Sequence, residues 1–375
     1  MIKITRHTVR DVIDAIEVPK DVLQKINENV QHNEPIIRYY NRLRRETKLD
    51  NLTNKARNMK DCNTMIEIDR YEEAKIKDYI RTNLCHDKFC NNCKKVKQAA
   101  RMAKYIPVLK KHRTDLYHMT LTQPNCSAEE LPHMIKKMAK KFRLLIQILR
   151  CEIKIKDLDF EPWGYEGAIR SLEITFKKDP NSPICYHPHY HVALCLCHDT
   201  TLDEKHIENT FSRSRKAPDR VKLFSHEEVL IQKIWYLLMN DQPVTKKAID
   251  ELKEGYSCAI DGFKESDYAE MFKYMSKSTD ENSNVLTYQH FKALYFALLN
   301  VKQIQGYGIF YRVEDVTKED IEQANSIYDA LIEYLKEKEC PVQQFDRLED
   351  LLKDTLYTLI SRKRILRHLV NVLRE

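Results

Sequence analysis

Two histidines separated by one residue, His189 and His191, carry the strongest chemical signal in the sequence. They lie within residues 186–194, a stretch that begins polar, ends apolar and predicts a β-strand. Side chains alternate between the two faces of a strand, so both imidazoles share one face while apolar residues on the other face can enter a core. Paired imidazoles suit a divalent metal ion. We therefore predict a metal site here, with His187 flanking it at the entry of the strand.

A carboxylate inside an apolar stretch is the candidate third ligand. Glu173 lies in residues 167–176, a second predicted strand, and the turn residues 179–183 favour a hairpin between the two strands. A buried carboxylate is costly unless it is paired or bound to metal. Two histidines and one carboxylate would leave coordination positions open for substrate oxygens and water. The alternative is a salt bridge from Glu173 to Arg170 or to a nearby lysine.

A tyrosine four residues after an acid forms a second candidate constellation. Residues 267–277 predict a helix, on which Glu270 and Tyr274 share a face and Lys273 and Lys277 form a neighbouring pair. A tyrosine can attack phosphorus and conserve the phosphodiester energy as phosphotyrosine, although its phenol, with a pKa of about 10, needs a nearby metal, cation or base. Glu270 could position water or accept a proton, and the lysines could hold phosphate oxygens. The same pattern also fits an ordinary amphipathic helix.

The spacing Cys85-x4-Cys90-x2-Cys93 is typical of a zinc site, and Cys62 can supply the fourth thiolate. His86 is an alternative fourth ligand, and unligated core cysteines are the alternative to a metal site. A closed four-ligand site would be structural. It would join the charged N-terminal region to the basic helix that follows, which is expected to contact DNA phosphates.

Composition narrows the class of protein. The chain has 375 residues, of which 32% are charged, and its net charge of +7 favours a nucleic-acid partner without proving one. Only 6 glycines occur, and glycine-rich phosphate loops are missing, which argues against ATP or NAD binding. No apolar run predicts a membrane span or a signal peptide. The 11 cysteines are therefore expected in a reducing cytosol, where Cys195, Cys197 and others outside the cluster pack as small core residues.

Helices interleave with hairpin-type strands, which predicts an α+β fold with an antiparallel sheet. The predicted strands are 116–122, 167–176, 186–197, 255–263 and 306–312. The predicted helices of this part of the chain are 127–150, 227–239, 267–277 and 288–299.

Taken in chain order, these motifs resemble the rolling-circle replication initiators (Rep proteins) of small bacterial plasmids, a branch of the His-hydrophobe-His endonucleases. The resemblance covers roughly residues 59–312. The segments that carry it are the four cysteines Cys62, Cys85, Cys90 and Cys93, residues 120–125, 167–173 and 186–192, and the helix motif Glu270-x-x-Lys273-Tyr274-x-x-Lys277.

The resemblance implies a five-stranded antiparallel sheet with flanking helices and the histidine pair on a central strand. It also implies a Mg²⁺ or Mn²⁺ ion that polarises the scissile phosphate, in addition to the structural Zn²⁺. In this reading Tyr274 is the nucleophile and Glu270 matches the acid that promotes hydrolysis at termination. The metal ligands implied are His189, His191 and Glu173, and the phosphate- or metal-placing cations are Lys273 and Lys277.

The implied function is a cytoplasmic plasmid replication initiator. It would nick one strand of the double-strand origin, stay on the 5′ end through Tyr274 and leave a 3′-OH for replication. Expected partners are plasmid origin DNA, as duplex and extruded single strand, host helicase and DNA polymerase, with no membrane and with homodimerisation left open. Two alternatives remain: a mobilisation relaxase or single-strand transposase with the same chemistry, and a non-catalytic zinc-containing DNA-binding regulator.

The expected division of the chain has four regions. The terminal regions are candidates for origin recognition or self-association. The four regions are a charged helical N-terminal region over 1–58, a four-cysteine zinc module with its basic helix over 59–112, the tyrosine endonuclease domain over 113–312 and a helical C-terminal region over 313–375.

Overall fold

The chain divides into two compact units. The first contains Met1–Ile106, Val285–Lys292 and Val316–Glu375, and the second contains Pro107–Asn284 and Ala293–Asp315. A computed structural model describes residues 20–60, 62, 66–70, 79–82, 84–112, 116–176, 185–197, 202–208, 223–253, 255–272, 276–278, 286–311 and 361–365. The fourfold division expected from the sequence remains a prediction.

The first unit combines helices with a small antiparallel sheet, in the strand order β11-β1-β2. Its N-terminal region is helical over the described residues, as predicted. The helical prediction for the C-terminal region is wrong at Ser361–Ile365, where pairing with Ile66–Arg70 makes a strand and overrides local helix preference. The elements are α1 (Lys20–Thr47), α2 (Asn51–Lys60), β1 (Ile66–Arg70), β2 (Tyr79–Thr82) and β11 (Ser361–Ile365), and α3 (Asn91–Lys110) begins here.

The second unit carries the main sheet and the helices that pack on it. Its strands are β3 (Leu116–Leu121), β4 (Tyr165–Phe176), β5 (Tyr186–Leu196), β6 (Ile207–Glu208), β7 (Leu223–Phe224), β8 (Cys258–Gly262), β9 (Ser276–Ser278) and β10 (Ile304–Gly308). Its helices are α4 (Leu131–Leu149), α5 (His226–Met239), α6 (Lys246–Glu251) and α7 (Glu265–Met271), while α8 (Tyr288–Ala297) begins in the first unit and ends in this one. None of the described helices is long and apolar enough to cross a membrane.

The predicted α+β fold with a five-stranded antiparallel sheet is confirmed. The strand order is β10-β4-β5-β3-β8, and every neighbouring pair in it is antiparallel. The strand that carries the histidine pair, β5, is central. A short sixth strand that the sequence did not predict, β9, pairs in parallel with the end of β4.

The apolar face of β5 faces the core, as its alternation predicted. Tyr190, Val192 and Leu194 are fully buried. Helix α4 packs on this face, and the Phe142 ring lies edge-on to Tyr190 at 5.4 Å between centroids. A capping box precedes α4, because Ser127 and Glu130 exchange side-chain-to-backbone hydrogen bonds. With this face covered, the histidines point to the opposite side of the sheet.

The predicted helix 267–277 is wrong in its second half. Helix α7 ends at Met271, with Phe272 as the capping residue, and residues 276–278 form β9. The reason is tertiary, since Ser276 pairs with Ile174 and Ser278 with Phe176 along β4. Sheet hydrogen bonding at this edge outweighs the helical pattern of the local sequence. Glu270 and Lys277 therefore do not share one helix.

Candidate metal centre and catalytic site

The register of β4 and β5 brings the three predicted metal ligands together. Glu173 lies directly opposite His189 in the antiparallel pair, while Ser171 lies opposite His191. Oε2 of Glu173 is 3.0 Å from Nε2 of His191 and 3.4 Å from Nε2 of His189. All three ligand atoms lie within 4.8 Å of one another, and His187 is not among them. The sequence therefore placed His187 correctly outside the ligand group.

The main chain orients the ring of His189. Its Nδ1 lies 3.1 Å from the carbonyl oxygen of His187. A carbonyl oxygen only accepts, so Nδ1 carries a proton and donates to it, while Nε2 faces Glu173. Metal-binding histidines commonly donate their other ring N–H in this way.

Two further side chains orient the ring of His191, so that its Nε2 also faces Glu173. Its Nδ1 lies 3.1 Å from Nε2 of His118, and Nδ1 of His118 lies 3.2 Å from Oδ1 of Asp267. Because the carboxylate accepts from His118, the other nitrogen of His118 is free to accept from His191. Nε2 of both histidines thus faces the Glu173 carboxylate, and a proton on each Nδ1 leaves the two Nε2 atoms able to bind an ion together with that carboxylate. Acceptor atoms that converge in this way fit a divalent cation between them.

The electrostatics of the ligand group favour the forms that bind metal. Burial raises the pKa of Glu173, but contacts with His189 and His191 outweigh this effect and hold the pKa well below its usual range. Burial lowers the pKa of His191, which keeps its imidazole neutral near pH 7. The exposed fractions of Glu173, His189 and His191 are 5%, 8% and 9%, so the group is largely shielded from solvent.

The alternative role of Glu173, a salt bridge to Arg170, is wrong. Residues that are an odd number of positions apart on a strand point to opposite faces of the sheet. Arg170 and Glu173 are three positions apart, so their side chains lie on opposite faces. Arg170 instead donates to Tyr307 and Gln305 and lies 4.7 Å from the Tyr190 ring centroid on the core side. Its charge is engaged away from the ligand group.

Replacing Asp267 with Asn should weaken binding of Mn²⁺ roughly 10- to 100-fold, the usual effect of removing an outer-shell partner. The substitution keeps the shape and the acceptor that caps α7 through the Lys264 amide, 2.7 Å away. It removes the negative charge that fixes the His118 tautomer. Titration calorimetry with Mn²⁺ measures the effect, and Asp250→Asn, an exposed change on α6, is the control. Equal Mn²⁺ affinity in both variants would show that Asp267 does not position His191.

The predicted strand-transfer residues have different positions relative to this site. Glu270 lies on α7 one turn after Asp267, so both residues occupy the same side of the helix. Lys277 lies in β9, opposite Thr175 in the register. Tyr274 and Lys273 lie outside the described residues. Their flanking segments are described, since α7 packs on β5 and Ser276 pairs with the residue after Glu173.

A nearby tyrosine, Tyr268, is excluded as an accessible nucleophile. It is 1% exposed, and its ring packs against Phe263 with 5.1 Å between centroids. A phenol held in the core cannot reach a DNA phosphate. Among the tyrosines near α7, this leaves Tyr274 as the candidate.

The four predicted cysteines form one cluster in the first unit. The Sγ atom of Cys62 is 3.7 Å from Sγ of Cys93 and 3.6 Å from Sγ of Cys90. The Sγ atom of Cys85 is 3.6 Å from Sγ of Cys93. A tetrahedral zinc ion with Zn–S bonds near 2.3 Å requires sulfur separations of about 3.8 Å. The ligand group consists of the four cysteines alone, so the alternative ligand His86 is not part of it.

Neighbouring polar side chains hold the cysteine cluster in place. The Asn33 amide donates to Cys90 Sγ at 3.1 Å, and its oxygen accepts from the backbone of Asn91 at 2.8 Å. Asp87 accepts from the Phe89 amide at 2.9 Å and from the Tyr40 hydroxyl at 2.9 Å. These bonds fix the turn between Cys85 and Cys90, which indicates a preformed site.

Sequence reasoning missed His118 and Asp267. His118 lies on β3, where Met119 and Leu121 are buried, so alternation alone places it on the face of the histidine pair. That signal was present in the sequence. The contact with His191 was not, because it depends on β3 pairing with β5 so that His118 lies opposite Ala193.

Comparison with known proteins identifies relatives of this chain. A sequence model of the family described as "Replication protein" matches residues 76–209, a segment that includes the three candidate metal ligands and three of the clustered cysteines. A "Protein rep" of Staphylococcus aureus is 26% identical over 188 residues, which cover 49% of this chain and 73% of the relative. A "Protein rep" of Lentilactobacillus hilgardii is 25% identical over 273 residues, which cover 62% of this chain and 81% of the relative. No solved structure matches the chain. The resemblance drawn from the motifs is thus confirmed, and the chain is a relative of the plasmid replication initiator (Rep) proteins.

Proposed function

We propose that the protein initiates plasmid rolling-circle replication by nicking one strand of origin DNA through tyrosine transesterification. The observation that carries the proposal is the convergence of Glu173, His189 and His191 on one point of the central strand. The kinship with replication proteins supplies the substrate class, origin DNA.

Glu173, His189 and His191 would hold a Mg²⁺ or Mn²⁺ ion. When bound, the ion polarises a phosphate oxygen and offsets the charge that develops in the transition state. The protein's own contribution is orientation. The His187 carbonyl and the His118–Asp267 pair fix both imidazoles before substrate arrives, which lowers the reorganisation required during reaction.

Tyr274 would act as the nucleophile. Its phenolic oxygen loses a proton and bonds to phosphorus, the bond from phosphorus to the 3′-oxygen breaks, and that oxygen takes up a proton to become the free 3′-OH. Tyr274 lies two positions before Ser276 in the sequence, and the Ser276 backbone pairs with Ile174, the residue after Glu173. This proximity in the chain supports the assignment, and the burial of Tyr268 removes its nearest competitor in sequence.

Glu270 would serve at termination, where a second strand cleavage or hydrolysis releases the protein. Glu270 lies on the same side of α7 as Asp267, which contacts His118, the partner of His191. There it could take a proton from water or position it. Lys273 and Lys277 would hold phosphate oxygens as point charges.

The four-cysteine cluster would bind a structural Zn²⁺. Four thiolates close the coordination sphere and leave no position for substrate. The ion would fix the start of α3, whose lysine-rich sequence would then meet DNA phosphates as part of a rigid unit. The free energy of Zn²⁺ binding would contribute directly to the folding of the segment that carries the four cysteines.

A direct test uses the full-length protein and a labelled single-stranded oligonucleotide that carries the plasmid's own origin hairpin. We expect cleavage at one position, a band that retains the protein after denaturation, and loss of both on addition of EDTA. A metal-independent band shift without cleavage would instead support a non-catalytic DNA-binding regulator. Cleavage of a transfer-origin or transposon-end sequence, but not the replication origin, would favour a relaxase or transposase.

A further inference from the structure

We propose that the protein binds a second zinc ion through Glu166, Cys195, Cys197 and His112, at the far end of β5 from the histidine pair. Ligand atoms of His112, Glu166 and Cys195 lie within 4.8 Å of one another. Sγ of Cys195 is 3.4 Å from Oε2 of Glu166, and the Cys197 thiol also hydrogen-bonds the Glu166 side chain. The sequence had indicated only core packing for the two cysteines.

The separations suit a small tetrahedral ion. Zinc binds sulfur, nitrogen and oxygen at about 2.0–2.3 Å, so its ligand atoms lie roughly 3.3–3.8 Å apart. Cys195 lies in β5, and Cys197 directly follows its last residue, Leu196, so alternation that continues past the strand end would bring both thiols to the same face. Modest rotations of side chains would complete the coordination sphere without movement of the sheet.

A β-bulge aims Glu166 at the thiols. Tyr165 lies opposite Leu196 and Gly167 lies opposite Cys195, so Glu166 is an extra residue in β4 that has no partner in the register. Bulges turn a side chain out of its regular alternation. Here the bulge is held in place, because the Glu166 carbonyl accepts from the Ile309 amide at 3.0 Å.

A glycine secures the same bulge from the other side. Gly308 has φ of +60°, and a Cβ there would lie 2.1 Å from the Glu166 carbonyl oxygen. Any other residue would therefore push the bulge away. The Cys197 amide donates to the Gly164 carbonyl at 2.9 Å, which fixes the second thiol. Backbone contacts thus preorganise two of the four ligands.

His112 completes the group from outside the sheet. It follows the end of α3, and its amide donates to the Leu109 carbonyl at 2.9 Å. Its ring stands edge-on to the buried Phe310, with 5.6 Å between centroids and 87° between planes. The aromatic contact orients the imidazole toward Glu166. An ion here would tie the segment after α3 to the ends of β4 and β5.

The donor set selects the kind of metal. Two thiolates, an imidazole and a carboxylate suit borderline-soft zinc, whereas Mg²⁺ prefers oxygen ligands. With all four ligands supplied by protein the site is closed and structural. It is separate from the candidate catalytic site, because Cys195 lies four residues along β5 from His191, about 13 Å at the usual strand rise. The proposal does not depend on the proposed nicking activity.

Zinc content of the full-length protein tests the proposal. After loading with Zn²⁺ and dialysis, Cys197→Ser and Glu166→Gln should each retain one equivalent less per chain than the wild type, measured by atomic emission. Cys151→Ser, which changes a cysteine outside any ligand group, should retain the wild-type amount. Both test residues lie near the surface, so folding should persist, and circular dichroism checks it. Equal zinc in the wild type and both variants would overturn the proposal and leave a hydrogen-bonded cluster only.

Cobalt substitution gives an independent readout. Sulfur-to-cobalt absorption reports only thiolate sites, so the Glu173 site, which has no sulfur, does not contribute. The wild type would have six cysteines that bind cobalt, four in the cysteine cluster and two at the proposed site. Loss of the proposed site in Cys197→Ser should leave four, so this absorption should fall by about one third. An unchanged spectrum in Cys197→Ser would contradict the proposal, whatever the nicking activity of the variant.

Discussion

Replacement of Tyr274 with Phe should abolish both strand cleavage and the covalent protein–DNA adduct. The variant lacks only the phenolic oxygen that bonds to phosphorus, so metal binding and duplex binding should remain. Loss of a nucleophile that acts with other groups costs on the order of 10⁴-fold or more in rate. A 5′-labelled and a 3′-labelled origin oligonucleotide, resolved under denaturing conditions, report cleavage and adduct separately.

The matched control is Tyr311→Phe. Tyr311 is 75% exposed on the turn that follows β10, so its hydroxyl can be removed without loss of packing. This variant should cleave as the wild type does. If Tyr274→Phe still formed an adduct, the nucleophile would have to be another residue, and mass spectrometry of the adduct peptide would identify it.

Removal of the metal ligands should stop cleavage while sparing duplex binding. In the variant His189→Ala/His191→Ala, only Glu173 of the ligand group remains, and one carboxylate holds Mg²⁺ weakly. A bound metal supplies several kcal/mol of transition-state stabilisation, so we expect a loss of roughly 10³-fold or more in cleavage rate. Mobility shift of the origin duplex should be unchanged, because the basic helix is not altered.

Two further variants make this result specific. Glu173→Gln keeps the shape of the side chain and tests the site if the double variant folds poorly. His133→Ala changes an exposed histidine on α4, the helix that packs on the opposite face of the sheet, and should leave cleavage intact. Cleavage by the double variant at the wild-type rate, without added metal, would rule out the proposed role of the histidine pair.

The sequence predicted the surroundings of the histidine pair better than those of Tyr274. His189 and Glu173 were paired correctly from pattern alone, since alternation along two strands and a short turn leave few registers. The helix predicted over residues 267–277 ends at Met271, and Ser276–Ser278 form a strand instead. A helix repeat is a local signal, and it cannot reveal that residues 276–278 pair with the edge of β4.

Contacts that join distant segments escaped the sequence for the same reason. His118 and Asp267 lie 149 positions apart in the numbering, and their contact requires both the pairing of β3 with β5 and the packing of α7 on the sheet. The bulge at Glu166 likewise depends on the register between β4 and β5. Neither feature leaves a periodic trace in the sequence.

The sequence by itself determined the fold class, the grouping of the histidine pair with Glu173, the cysteine cluster and the kinship with replication initiators. These features rest on residue type and short spacing, which strand alternation and metal chemistry constrain directly. Only the tertiary structure decided which groups orient the ligands, where the α7 helix ends and which further thiols meet an imidazole and a carboxylate. Those outcomes depend on strand register and packing between distant segments, because a site is completed only when the sheet that carries it has formed.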